Sequence, residues 1–204
     1  MPSKADWRVQ RRSGMAAIAI AMVVSLVLWF ALYRVLPPLT GVGSVGAKLL
    51  IALKCTAVAT LFCLVAGIEA IAHERLQSNA FDPLAGHQTK RLAVNQRYLQ
   101  NTLEQLVVFA VGLFGLAAYL DSGETMRALP ATTAVWTLNR YAFWIGYHRS
   151  AAMRGLGAPS MAIGLVMLIY VVARIGEDLA GTAGAAIAIL AFLAIEAMLF
   201  WKTR

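Results

Sequence analysis

Arg97-Tyr-Leu-Gln-Asn101-Thr-Leu-Glu104, running on as QLVVFAVGLFGLAAYL to Leu120, decides how this chain is read. The tail is apolar and long enough, with the residues before it, to cross a bilayer as a helix. Arg97, Gln100, Asn101 and Glu104 follow the i, i+3, i+4, i+7 spacing that puts them on one helical face. A second apolar stretch, WTLNRYAFWIGYHRS from Trp136 to Ser150, carries Arg140 and Tyr147 seven residues apart, again on one face. Charged side chains inside hydrocarbon are costly, and a chain that keeps several of them usually uses them.

The composition fits an all-α membrane bundle. Of 204 residues, 60% are hydrophobic and only 14% charged, too apolar for a soluble domain of this size. The net charge of +8 raises the question of nucleic acid. The cations punctuate apolar runs and form no broad stripe, so the expectation is no nucleic-acid partner. Cys55 and Cys63 lie eight apart in one apolar run, about 12 Å of helical rise. That distance exceeds disulfide reach, and they read as packing residues.

Six membrane spans are expected, at 15–36, 46–72, 94–120, 128–150, 158–175 and 183–201. The domain reading is a segment 1–14, an added span 15–36, a four-helix core 46–175 and an added C-terminal span 183–201. The run from Met15 to Leu36 is too long for a signal peptide and ends in YRVLPP without a cleavage pattern, so it reads as a retained helix. Pro37-Pro38 closes the first span, Pro130 opens the fourth and Pro159 the fifth. Arg174, Glu177, Asp178 and Gly181 interrupt the last two, which could form one broken hairpin. With both termini inside, twelve Lys and Arg fall on the cytoplasmic side and four opposite, which favours that orientation. The loop around 73–93 is then cytoplasmic and long enough to act as a lid. Trp7, Trp29, Tyr33 and Trp201 read as interfacial anchors.

Depth brings the two polar faces together. Glu104 is ten residues into its span and Arg140 ten residues from the same side of its own, each about 15 Å deep. Opposite charges at one depth on neighbouring helices are expected to pair. Asn101 is shallower, and Tyr147, Arg97 and Arg154 lie nearer the headgroups. The expectation is a funnel open to the cytoplasm and ending at a Glu104–Arg140 pair. It suits a small zwitterion with excess negative charge, because arginines grip carboxylates and Glu104 can take an ammonium.

These residues resemble the MAPEG family, the membrane-associated proteins in eicosanoid and glutathione metabolism. Arg97 to Glu104 looks like the family's R-x-x-x-N-x-x-E signature. Gly146-Tyr-His-Arg-Ser-Ala-Ala-Met-Arg154 is similar to the GY-x-RSA-x-x-R segment of leukotriene-C synthases, and Arg140 stands seven before the tyrosine as in prostaglandin E synthases. The resemblance covers roughly 46–175. It implies a four-helix protomer, a homotrimer, and glutathione as co-substrate between protomers near the cytoplasmic face. It implies that Arg97, Asn101, Glu104 and Tyr147 bind the tripeptide and that Arg154 stabilises its thiolate. Gln100 and Arg140 join the binding set on the strength of their faces. The chemistry implied is a transferase or peroxidase reaction on lipophilic electrophiles drawn from membrane lipid. The chain departs from the pattern at Phe143, where leukotriene-C synthases have a tyrosine, and at Gln105, where an aromatic residue is usual. The setting expected is a bacterial inner membrane.

Two other classes compete. One is a lipid-binding or partner-presenting scaffold without catalysis, which the family also contains. The other is a haem electron carrier using His73 and His148. No Cys/His spacing suggests zinc and no glycine-rich phosphate loop is present, so no metal is expected. Gly112 and Gly115 suit a close helix contact.

Overall fold

The computed structural model describes residues 4–203; residues 1–3 of the expected N-terminal segment and Arg204 of the charge tally lie outside them. Five long helices follow one another: α1 (Lys4–Val35), α2 (Val45–Leu76), α3 (Lys90–Tyr119), α4 (Ala128–Arg149) and α5 (Ala158–Lys202). No strand occurs among the described residues. The ends have local causes. Pro37-Pro38 stop α1. The Ser44 and Thr89 hydroxyls accept from the backbone N–H groups of Ala47 and Leu92 and so cap α2 and α3. Pro159 sits in the first turn of α5, where its missing N–H costs nothing.

α5 is a hairpin. Ala180 leaves the helical region and Gly181 has φ +64°, a conformation that favours glycine. The arms 158–179 and 182–202 meet where Gly176 and Gly184 approach backbone to backbone. The interruption expected from Arg174 to Gly181 is therefore a tight reversal. Arg174 pairs with Glu177 at 2.9 Å, and the Tyr119 hydroxyl donates to Asp178 at 2.6 Å, so the polar groups of the reversal are used.

Among the described residues, four segments are long and apolar enough to cross a membrane: Trp7–Val35, Val45–Leu76, Lys90–Tyr119 and Met153–Lys202, the last holding the hairpin. α4 is the exception because it carries Asn139 and Arg140 in its middle. Both are buried, so its polar load faces protein and not lipid. The core forms where Phe109 stacks on Trp136 at 4.5 Å, with Leu106, Leu113, Ala117 and Met167 around them. A Cβ at Gly112 would lie 3.0 Å from Met167, and one at Gly115 would lie 2.5 Å from Val171. These glycines let α3 and α5 approach, as their spacing suggested. Cys55 and Cys63 are free thiols buried in this core.

Two features go beyond the sequence reading. α2 contains a π-helical turn at Thr60–Val65, and hydroxyls from two other helices satisfy its carbonyls. Tyr98 donates to the Cys63 carbonyl at 3.1 Å and Tyr141 to the Phe62 carbonyl at 2.6 Å. α1 docks firmly against α4. Ser25 and Asn139 exchange hydrogen bonds of 3.1 and 2.9 Å, and the Trp29 indole donates to Thr132 at 2.8 Å. Tyr33 stacks on Trp29 and lies under the Arg127 guanidinium. Trp29 and Tyr33 thus make helix–helix contacts, whereas Trp7 and Trp201 are exposed.

Candidate functional site

One end of the bundle holds a cavity of about 670 Å³. It is walled by the first half of α3, the last turns of α4, the turn leading into α5, the start of α5 and, through Ile18, by α1. Arg97, Gln100, Asn101, Glu104, Tyr147 and Arg154 all line it. Two stretches some fifty residues apart therefore converge because α3 and α4 run antiparallel with their polar faces turned to one space. The opposite wall, from Ile18 through Met161, Ala162 and Leu165, is apolar. The cavity thus presents charge on one side and hydrocarbon on the other.

Its reactive heads are uncommitted. Among the described residues, the Arg97 and Arg154 guanidiniums and the Tyr147 hydroxyl make no hydrogen bond or ion pair. Arg154 sits on the 3-10 turn Met153–Gly157, its guanidinium 5.8 Å from the centre of the Tyr147 ring. Glu104 is exposed to the cavity and accepts only from Gln100, at 3.3 Å. Gly146 and Gly157 make the corner possible. A Cβ on Gly146 would strike the Met153 carbonyl, and one on Gly157 would strike Phe143. Phe143 in turn lies 5.6 Å from the Tyr147 ring.

The expected Glu104–Arg140 pair does not form. Arg140 is fully buried, does not line the cavity, and is held by neutral groups. It donates to Asn101 Oδ1 at 3.0 Å and to Thr102 Oγ1 at 2.8 Å, with Ser160 Oγ at 3.4 Å. The faces of Phe143 and Tyr98 lie 4.6 and 5.4 Å from its guanidinium. The rotation of each helix about its axis was not legible: Glu104 faces the cavity while Thr102 and Asn101 face Arg140. Arg140 touches the cavity wall through Asn101, whose Oδ1 it holds by a hydrogen bond. Gln105 completes the arrangement, donating to Asn101 at 3.1 Å and accepting from Ser160 at 2.7 Å. The residue that departs from the family pattern thus closes a ring Arg140–Asn101–Gln105–Ser160, in which Asn101 and Gln105 line the cavity and Arg140 and Ser160 lie behind them.

This geometry separates two variants. Glu104→Ala leaves melting in detergent nearly unchanged, because an exposed carboxylate is removed. Arg140→Ala lowers stability by about 3 kcal/mol, since it opens a cavity and strips Asn101 and Thr102 of their donor. Equal melting shifts for the two would restore the ion pair and discard the ring.

Other expected players stand apart. The segment 77–89 is tied down at its end, where Thr89 donates to Glu74 at 2.7 Å and Gln88 to Gln96 at 2.7 Å. None of its residues lines the main cavity; Gln88 borders a neighbouring cleft with Arg97 and Gln100. His148 bonds Asn95 at 3.0 Å, beside the Trp144 indole that donates to the same oxygen at 2.9 Å. His73 lies against Glu69 on its own helix. Among the described residues, no group of three or more His, Cys, Asp or Glu is placed to hold a metal ion. Thr102, Ser160 and Ile18 were missed by sequence reasoning. Ser and Thr in apolar helices give no signal of their own, and Ile18 belongs to a helix that only the fold brings to the site.

The sequence model of the MAPEG family matches residues 49–176, a segment containing every polar residue of the cavity. No curated protein and no solved structure gives a match.

Proposed function

The chain belongs to the MAPEG family, and from that premise we propose that the cavity binds glutathione and sets its thiol against a lipophilic electrophile. The observation that carries the reading is the gathering of Arg97, Gln100, Asn101, Glu104, Tyr147 and Arg154 around one space, with its cationic heads unpaired. Glutathione has two carboxylates, one ammonium, two amides and a thiol. Arg97 takes a carboxylate, Glu104 the ammonium, and Gln100 and Asn101 the peptide amides. Arg140 keeps Asn101 oriented from below. Arg154, with Tyr147 beside it, faces the sulfur.

A thiol is a weak nucleophile until it loses its proton, and a fixed cation favours the thiolate. In conjugation the thiolate sulfur forms a bond to an electrophilic carbon, and the electron pair leaves with a displaced anion or opens an epoxide whose oxygen takes a proton. In peroxide reduction two glutathiones supply two electrons; a hydroperoxide becomes an alcohol and water, and one glutathione disulfide forms. The apolar wall of Met161, Ala162 and Leu165 suits the co-substrate. The setting that goes with this reading is a homotrimer in a bacterial inner membrane with both termini cytoplasmic; the cation bias of the loops supports that orientation.

Calorimetric titration of the detergent-solubilised protein with glutathione tests the reading. Saturable heat, weakened at least about tenfold by Arg97→Ala, is expected. No heat at millimolar glutathione ends it. Heat without turnover of any electrophile would leave a binding protein, a reading that Phe143 favours because it removes one phenol from the wall.

A further inference from the structure

The hydrogen bonds around Asn101 fix which end of its amide meets the cavity. A guanidinium can only donate, so the atom that Arg140 reaches at 3.0 Å is the oxygen, Oδ1. With that oxygen fixed, the Gln105 atom 3.1 Å from it must be the nitrogen, and both lone pairs of Oδ1 are then filled. The Gln105 carbonyl is thereby turned to Ser160, whose hydroxyl donates to it at 2.7 Å. Arg140 and Ser160 are fully buried, so packing holds both ends of this chain of donors. Asn101 Nδ2 is left over. It makes no hydrogen bond among the described residues, and Asn101 lines the cavity.

We propose that Gln105 is a positioning residue: with Arg140 it locks the Asn101 amide so that its N–H donors face the ligand, and what they receive is a carbonyl oxygen of the tripeptide backbone. The ligand's identity rests on the glutathione reading; the lock rests on the hydrogen bonds alone. A buried cation at the root of the chain polarises the amides beyond it, so the Asn101 N–H groups donate more strongly than those of a solvated asparagine. Gln100 supplies the opposite polarity. It spends its nitrogen on the Glu104 carboxylate, at 3.3 Å, which leaves its carbonyl free to accept a peptide N–H. The wall therefore offers a fixed donor and an acceptor, the two groups that a peptide bond requires. Gln105 stands where the chain departs from the family pattern, so the lock is a property of this chain.

Glutathione analogues with one peptide bond at a time replaced by an ester or by an alkene test the proposal, by calorimetric titration in detergent. The ester keeps the oxygen and lacks the N–H; the alkene lacks both. At one of the two peptide bonds the alkene is expected to bind about tenfold more weakly than the ester. In Asn101→Asp that ratio falls to near one, because the donors are gone. In Gln105→Leu, where Arg140 alone holds the amide, it falls about threefold. The two analogues carry the same charge, so repulsion by a new carboxylate cancels in the ratio. A ratio near one at both bonds in the parent, or the parent's ratio kept in either variant, overturns the proposal. Melting without ligand tests the lock by itself. Asn101→Asp is expected to melt no lower than the parent, because a carboxylate accepts from Arg140 and Gln105 as the amide oxygen does, whereas Asn101→Leu melts lower. A clear fall in Asn101→Asp would mean that the fold uses Nδ2, and overturns the orientation. If glutathione does not bind the parent, the earlier reading has failed and the carbonyl assignment falls with it, while the melting comparison still decides the lock.

Discussion

On the proposed glutathione chemistry, Arg154→Ala is expected to lower turnover of a reference electrophile at neutral pH by about 10²–10³-fold, with glutathione affinity reduced far less. The guanidinium lies over Tyr147 at the cavity mouth and makes no bond within the described protein, so its removal disturbs no packing. What is lost is the charge beside the sulfur. A thiol near its ordinary pKa of about 8.5 is mostly protonated at neutral pH, whereas beside a fixed cation more of it is thiolate. The sign of the pH dependence follows. The cation lowers the pKa of the bound thiol, so the parent's rate rises through a midpoint below about 8.5, and the variant's midpoint moves up toward that value. The deficit is therefore greatest near neutrality and shrinks as pH rises. Arg154→Lys keeps the charge but not the planar fork, and recovers part of the rate. A deficit of the same size at every pH would remove thiolate stabilisation from the role of Arg154.

Gly157→Leu is the most damaging structural change expected, costing about 3 kcal/mol or more. A Cβ at this position runs into the Cβ of Phe143 and comes within 2.9 Å of the Asn139 carbonyl. Backbone atoms are involved, so rotamer adjustment offers no relief and α4 must part from the start of α5. The same corner places Arg154, Phe143 and Ser160, so cavity and fold fail together. Gly46→Ala is the control: nothing lies within 4 Å of its Cβ, and alanine is the better helix former. Melting of the two variants in detergent, read by near-ultraviolet circular dichroism, separates them. A Gly157→Leu protein that melts with the parent would mean that α4 and α5 do not meet as described.

Helix positions were legible in the sequence because hydrophobic runs of bilayer length are a strong signal. The reversal at Gly181 was marked by Arg174, Glu177 and Asp178, which no lipid-facing span would carry. The polar face of α3 and the Gly146–Arg154 segment marked the cavity, since spacing alone sets which residues share a face. Their partners were less legible. Depth along the axis follows from counting residues, but the direction in which Arg140 and Glu104 face depends on how α3 and α4 are turned against each other. Charge complementarity suggested a pair; the fold instead spends Asn101, Thr102 and Ser160 on the cation and leaves Glu104 to the cavity. α1 read as an added span, yet through Ile18 it walls the cavity, a relation that no local pattern encodes.

The π-turn of α2 gives that helix one residue of slack. An extra residue in an ordinary α-helix would swing everything after it by about 100° and advance it by about 1.5 Å. Here the wide turn at Thr60–Val65 takes up the excess locally, under the two tyrosine hydroxyls. The azimuth of the last turns is preserved, so Gly67 still meets Tyr98 and Glu74 still reaches Thr89 and Arg91. Shortening the chain by one residue within 60–65 should thus be absorbed, whereas the same deletion a turn later should swing Glu74 out of alignment and unfasten the start of α3.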